Sequence, residues 1–157
     1  MGTRSRIGVM HGDKVKSVYC HWDGYLEHNG QILQEHYDSA KANNLVALGD
    51  LSSLGARIGE QHPFSPYASD EDRAAYDAAQ EAGWCTFYNR DRGESGTEWK
   101  VANTFAEFME QCDHCGAEYY YIMKDGVWYV GDTYGKTALS NQLKPLAAEL
   151  AWKVVTV

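Results

Sequence analysis

The chain has no apolar run of the roughly 18 residues that a membrane span needs, and it carries only three prolines and four cysteines in 157 residues. It has no internal repeat, no low-complexity run and no composition shift that reads as a linker, so one domain spanning 1–157 is expected. Basic residues are scarce, 14 Lys and Arg against 22 Asp and Glu, a net charge of -8. That balance disfavours binding to nucleic-acid backbones or anionic membranes, which need a basic patch. The acids are dispersed rather than blocked, which argues against a DNA mimic. No signal-peptide apolar core follows Met1, so a cytoplasmic location is expected. The cysteines then read as thiols or metal ligands rather than disulfides.

The familiar catalytic signatures are missing too. There is no Gly-x-Ser-x-Gly and no His-Glu-x-x-His. The stretch Gly131–Thr137 ends in Gly-Lys-Thr, but Val130 stands where a phosphate loop has its first glycine. No cofactor is implied.

Aromatic residues are plentiful at 13%, with Tyr 11 and Trp 5. Such rings serve either a large core or a binding face, because they offer apolar area with a polar tip. Strand-like segments Arg6–Met10 and Val15–Trp22 flank a Gly-Asp turn and predict an N-terminal hairpin. In the second, Val15, Ser17, Tyr19 and His21 share one face and Lys16, Val18, Cys20 and Trp22 the other. Helices are predicted over Asn29–Tyr37, from a Ser39 cap to Leu48, and from a Ser69 cap to Gly83, the last weakly apolar and placed at the surface. Asp50–Ala68 loses periodicity and reads as a long loop.

Trp84–Tyr88 reads as a strand. Thr104-Phe105-Ala106-Glu107 is a capping box that opens a helix with the stripe Phe105, Phe108, Met109 and Cys112. Glu118–Lys124 and Val127–Gly131 flank Asp125-Gly126, the strongest hairpin signal in the chain. Leu139, Leu143, Leu146 and Leu150 form a final stripe, and Val154, Val155 and Val157 read as an edge strand. The sum is α+β: an antiparallel sheet of about five or six strands built from hairpins, with several helices packed on it.

Three constellations carry chemistry. The densest is Tyr19-Cys20-His21-Trp22-Asp23-Gly24-Tyr25. There His21 can serve as a general base and Asp23 can orient it or bind a hydroxyl. The bland alternative makes Trp22 and Tyr25 core rings, bonds His21 to a backbone carbonyl and leaves Asp23-Gly24 as a turn. The second is Asn89-Arg90-Asp91-Arg92-Gly93-Glu94. Its arginine forks suit phosphate or carboxylate, or else pair with their own neighbours in a solvated loop. The third is Cys112-Asp113-His114-Cys115. Its two thiols and imidazole are candidate zinc ligands, but a structural site needs four and no second pair is spaced for it; plain structural thiols are the simpler reading.

Thr3-Arg4-Ser5-Arg6-Ile7 followed by Tyr19–Tyr25 resembles a family of small proteins of tailed phages and prophages. A Ser-Arg-Ile start, a His-Trp-Asp-Gly-Tyr element and a His-Tyr pair (here His36-Tyr37) recur in them. Leu48–Leu54 and Tyr88–Glu94 look like later blocks of the same family, so the resemblance covers most of the chain. It implies a phage accessory protein and brings no activity or functional residue with it.

The expectation is therefore a non-enzymatic protein that binds a host component in the host cytoplasm, to counter host defence or redirect host metabolism. The partner is a small nucleotide-like ligand or a host protein. The candidate binding residues are His21, Trp22, Asp23, Tyr25, Arg90 and Arg92, expected to meet on one wall. The rival is a small hydrolase or nucleotide-processing enzyme using His21, Asp23 and Glu94.

Overall fold

The computed structural model describes residues 2–64, 69–133 and 143–155. Its frame is two hairpins. In the first, β1 (Ser5–His11) and β2 (Lys14–Cys20) pair antiparallel, with Arg6 opposite Tyr19 and Ile7 opposite Val18. In the second, β6 (Tyr119–Lys124) and β7 (Val127–Asp132) meet across Asp125 and Gly126, whose φ angles of 52° and 80° are the two positive values a type I′ turn requires.

The hairpins do not continue one antiparallel sheet. β1 lies parallel to β6, with Ile7 opposite Tyr121, and the end of β2 lies parallel to β3 (Leu51–Ser53) through Cys20 and Leu51. The sheet is mixed, in the order β4-β3-β2-β1-β6-β7-β8, which corrects the all-antiparallel expectation. Turn residues report pairing inside a hairpin, whereas the parallel joints are made by segments far apart in the chain. The strand count is also higher, with eight described. The additions are β3, β5 (Lys100–Ala102) and β8 (Lys144–Pro145), while β4 shrinks to Thr86–Phe87. Segments of two or three residues are too short to show a period of two, so β3 was hidden inside the stretch read as loop.

One face of the sheet is thickly covered. A one-turn π-helix, Leu26–Gly30, runs directly into α1 (Gln31–His36), in place of the single helix expected there. With α2 (Ser39–Ala47) and α5 (Leu146–Val155) these elements cover Ile7, Val18, Cys20, Tyr121, Met123 and Val130. Two buried bonds lock the layers: Trp128 Nε1 donates to the Tyr37 carbonyl at 2.9 Å, and the Tyr121 hydroxyl to the Gly24 carbonyl at 2.6 Å.

The opposite face is covered by α4 (Phe105–Cys115), and only in part. Phe108 and Cys112 pack on Val15, Ala102, Tyr120 and Ile122. The Tyr120 ring lies across Gly131, where a Cβ would overlap it, and meets Phe108 edge-on at 5.7 Å. α3 (Asp70–Glu81) buries only Ala79 among its residues, as its weak apolar pattern predicts.

The caps follow side-chain chemistry. Ser69 Oγ accepts from Asp72 N–H and Thr104 Oγ1 from Glu107 N–H. At α2 the cap is Asp38 rather than Ser39, its carboxylate accepting from Lys41 N–H at 2.8 Å. Val154 and Val155 belong to α5, not to an edge strand; the stripe begun by Leu146 and Leu150 overrides their β propensity. Leu139, Val157 and the Gly-Lys-Thr of Gly131–Thr137 lie outside the described residues. Among the described residues no helix is long and apolar enough to cross a membrane.

Candidate functional site

The His-Trp-Asp element leaves β2 and runs along β3. His21 N–H donates to the Leu51 carbonyl and Trp22 N–H to the Ser52 carbonyl. β3 in turn pairs with β4, which leads into the arginine loop. His21 and Arg92 are close enough that burial first, then the charges of Arg4 and Arg92, hold the imidazole below its usual pKa of 6.5.

The other members go elsewhere. Trp22 is 43% exposed and Tyr25 36%. Asp23 takes a left-handed turn, φ 56°, and its carbonyl accepts from Asn29 N–H. The residue that holds His21 is Tyr19, with its hydroxyl 2.6 Å from Nδ1. Gly24 is pressed against Ser5, with no room for a Cβ. The buried Asn29 amide donates to Ser5 Oγ, Cys20 Sγ and the Trp22 carbonyl. Much of this motif therefore fastens the chain after β2 to the start of β1.

The arginine loop divides the same way. Arg90 donates from Nε to Asp91, from Nη1 to the Gly59 carbonyl and from Nη2 to the Cys85 carbonyl. Asp91, whose side chain is fully buried, also accepts from the backbone N–H groups of His62 and Phe87. This staple was not legible in the sequence, because His62 lies 29 residues away. Arg92 pairs with Glu94 at 2.8 Å and stacks on Phe64 and Tyr88.

None of four of the surface cavities that described residues form is lined by His21, Trp22, Asp23, Tyr25 or Arg92. Arg90 borders a separate one of about 380 Å³ with Leu48 and Trp99.

The most built of the four lies on the partly covered face, between α4 and the strands, with a volume of about 540 Å³. Arg6, Tyr19, Asp50 and Lys100 line it from the strand side, and Glu107, Glu110, Gln111, His114 and Cys115 from α4. Arg6 is 2% exposed. It donates from Nε to Ser17 Oγ at 3.0 Å and from Nη2 to the Ser17 carbonyl at 3.1 Å, and Nη1 lies 3.8 Å from Cys115 Sγ.

No ion pair to Arg6 forms among the described residues. A buried cation without a paired anion is costly, and this one borders an open cavity. Asp50 lines the cavity too. Its carboxylate accepts from Tyr19 N–H at 2.9 Å. Burial raises its pKa, against the lowering effects of that bond and of the Arg6 and Lys100 charges. Burial likewise pushes the Tyr19 hydroxyl to about 12, so it stays protonated near neutral pH.

Three separate sequence segments supply this cavity: Arg6 from Thr3–Ile7, Tyr19 from Tyr19–Tyr25 and Asp50 from Leu48–Leu54. Reading each segment alone could not reveal it. The available signal was Tyr19, which shares a strand face with Ser17 and stands opposite Arg6 in the hairpin.

The cysteine motif is divided by burial. Cys112 is buried in the α4 core face, Cys115 Sγ donates back to the Cys112 carbonyl and His114 is exposed. Among the described residues no group of three or more His, Cys, Asp or Glu is placed to hold a metal ion.

No family model matches this chain, and no curated protein or solved structure was found similar to it.

Proposed function

We propose that this protein binds a small nucleotide-like anion in the Arg6 cavity, as a phage accessory protein acting on a host-derived molecule. The observation that carries the reading is the Arg6 guanidinium. It is buried and held rigidly by Ser17, has no ion pair among the described residues, and borders a cavity also lined by Lys100 and His114 and by the carboxylates Asp50, Glu107 and Glu110. A planar fork fixed in this way suits phosphate or carboxylate. A volume of about 540 Å³ falls within the range of about 300–1,000 Å³ usual for small-molecule sites. The Tyr19 ring supplies apolar contact, and the phage-family resemblance supports the host context.

The geometry favours binding over the hydrolase alternative. Of the two roles given to Asp23 there, orienting His21 or binding a hydroxyl, the first is disfavoured, because the Tyr19 hydroxyl occupies Nδ1.

Titration calorimetry with inorganic phosphate and nucleoside monophosphates tests the reading. Saturable binding is expected, weakened about tenfold in Lys100→Ala and lost in Arg6→Met, with both variants folded by circular dichroism. Absence of binding by the wild-type protein, or equal binding by folded Arg6→Met, overturns it. If Arg6→Met does not fold, Lys100→Ala decides.

A further inference from the structure

The four cysteines stand in different surroundings. Cys20, Cys85 and Cys112 are fully buried. Burial pushes the Cys20 thiol up to about 12 and raises those of Cys85 and Cys112 as well. Such thiols are inert. Cys115, the last residue of α4, is partly exposed and lines the Arg6 cavity.

The group beside Cys115 is a cation. Arg6 Nε and Nη2 both donate to Ser17, whereas the contact of Nη1 is Cys115 Sγ at 3.8 Å. A thiol sulfur is a weak acceptor, and no carboxylate pairs with Arg6 among the described residues. A thiolate in the same place is a far stronger partner for a buried guanidinium. The thiol proton is donated to the Cys112 carbonyl at 3.4 Å. That carbonyl belongs to the negative end of α4, which opposes charge on the sulfur. Charge that develops there during a reaction therefore depends on Arg6.

We propose that Cys115 is a thiol-modification site that, aided by Arg6, exchanges with a low-molecular-weight disulfide entering the cavity. The thiol gives its proton to solvent, and the thiolate attacks one sulfur of the disulfide R–S–S–R. The Cys115–S–S–R bond forms as the original S–S bond breaks. The leaving sulfur takes the bonding electron pair and then a proton, so R–S–H is released. Cys115 is oxidised and half of the disulfide is reduced. The cavity, about 540 Å³, has room for the attached group. Its lining carries both signs, Arg6 and Lys100 against Asp50, Glu107 and Glu110, so a neutral disulfide is the fitting probe. Only the consequence rests on the anion reading above: the attached group fills the place of the anion, which puts binding there under redox control.

The probe is 2-hydroxyethyl disulfide, applied to the full chain at neutral pH. Adduct formation at each cysteine is followed by peptide mass mapping, in native and in urea-unfolded protein. The first adduct is expected on Cys115, reversible with dithiothreitol. It should form about threefold faster in the native than in the unfolded chain, because a larger thiolate fraction is partly offset by lower nucleophilicity. First labelling of another cysteine, or a native Cys115 rate no higher than the unfolded one, overturns the proposal without need of a variant. Folded Arg6→Met should lose the native advantage, and Arg6→Lys should keep most of it. An unchanged rate in folded Arg6→Met overturns the part given to Arg6.

Calorimetry with inorganic phosphate separates this proposal from the anion reading. Protein that binds phosphate should lose that binding once Cys115 carries the adduct, and equal binding before and after overturns the redox control. If unmodified protein binds no phosphate, the anion reading falls and the labelling result decides the thiol site by itself.

Discussion

The two faces of the sheet are built for different ends. On the first, the π-helix, α1, α2 and α5 close over Ile7, Val18, Tyr121 and Val130, and the polar groups that reach this layer, such as the hydroxyl of Tyr37 and the indole nitrogen of Trp128, are bonded to backbone carbonyls. On the second, α4 seals the half around Phe108 and Tyr120, and the half around the buried Arg6 borders a cavity among the described residues. Helix cover thus sorts the two halves of one face into core and site. Where α4 lies flat, the strands present Val15 and Ile122. Toward the cavity, β1 and β2 present Arg6 and Tyr19. The proposed site thus sits beside a core, on strands the core holds, rather than at the arginine loop.

Breaking the sealed regions should give the largest effects. Leu45→Ala on the first face and Phe108→Ala on the second are expected to cost about 2–5 kcal/mol each in urea denaturation. Leu45→Ala should leave anion affinity unchanged at temperatures where it is folded, because its side chain faces away from the cavity. Phe108→Ala should weaken both properties, because α4 carries one cavity wall. Equal binding losses in the two variants would remove the distinction between the faces.

A finer contrast comes from two caps of the same type. Thr104→Ala and Ser69→Ala each remove a side-chain acceptor from a helix N-terminus, and each is expected to cost about 1 kcal/mol. Only Thr104→Ala should lower ligand affinity, since α3 does not border the cavity. Matched calorimetric and denaturation measurements on the pair separate local fraying from loss of the site.

The smallest effects lie in pH dependence, and two groups on the open side have opposite signs. Asp50 has a pKa raised above 3.8 by burial. Its contribution to stability is full below 3.8 and is lost as pH rises through the folded value. Asp50→Asn should flatten that decline in a series of urea midpoints. His21 has a pKa held below 6.5. Its contribution is full above 6.5 and is lost as pH falls through the folded value. His21→Gln should flatten the acid side of the profile, and an unchanged slope there would show that the imidazole is not held neutral by its surroundings.

Local signals made much of the framework legible. Asp125-Gly126 specified its hairpin, because only a pair tolerant of positive φ closes a two-residue loop. Ser69 and Thr104 marked their helix starts, because a hydroxyl satisfies an otherwise unpaired N–H there. The candidate site was legible only in part. The Arg92 charge acts on His21, but Arg90 turned inward to bond Asp91 and two carbonyls. A charged residue in a polar stretch looks the same on paper whether it faces solvent or staples the loop. Arg6 showed no special signal, since its burial depends on Ser17, Tyr19 and α4 arriving together.

The amino-acid order by itself determined the α+β class, both hairpins and the capped helices, because each depends on neighbours a few residues apart. Only the folded chain decided that the hairpins join in parallel, that β3 and β5 share the edge of β2, and that Arg6 and Gln111 line one cavity. Those outcomes depend on contacts between residues up to about a hundred positions apart: Gln111 stands 105 residues beyond Arg6. No periodicity or motif encodes such a meeting, because its free energy comes from packing whole layers rather than from any one segment.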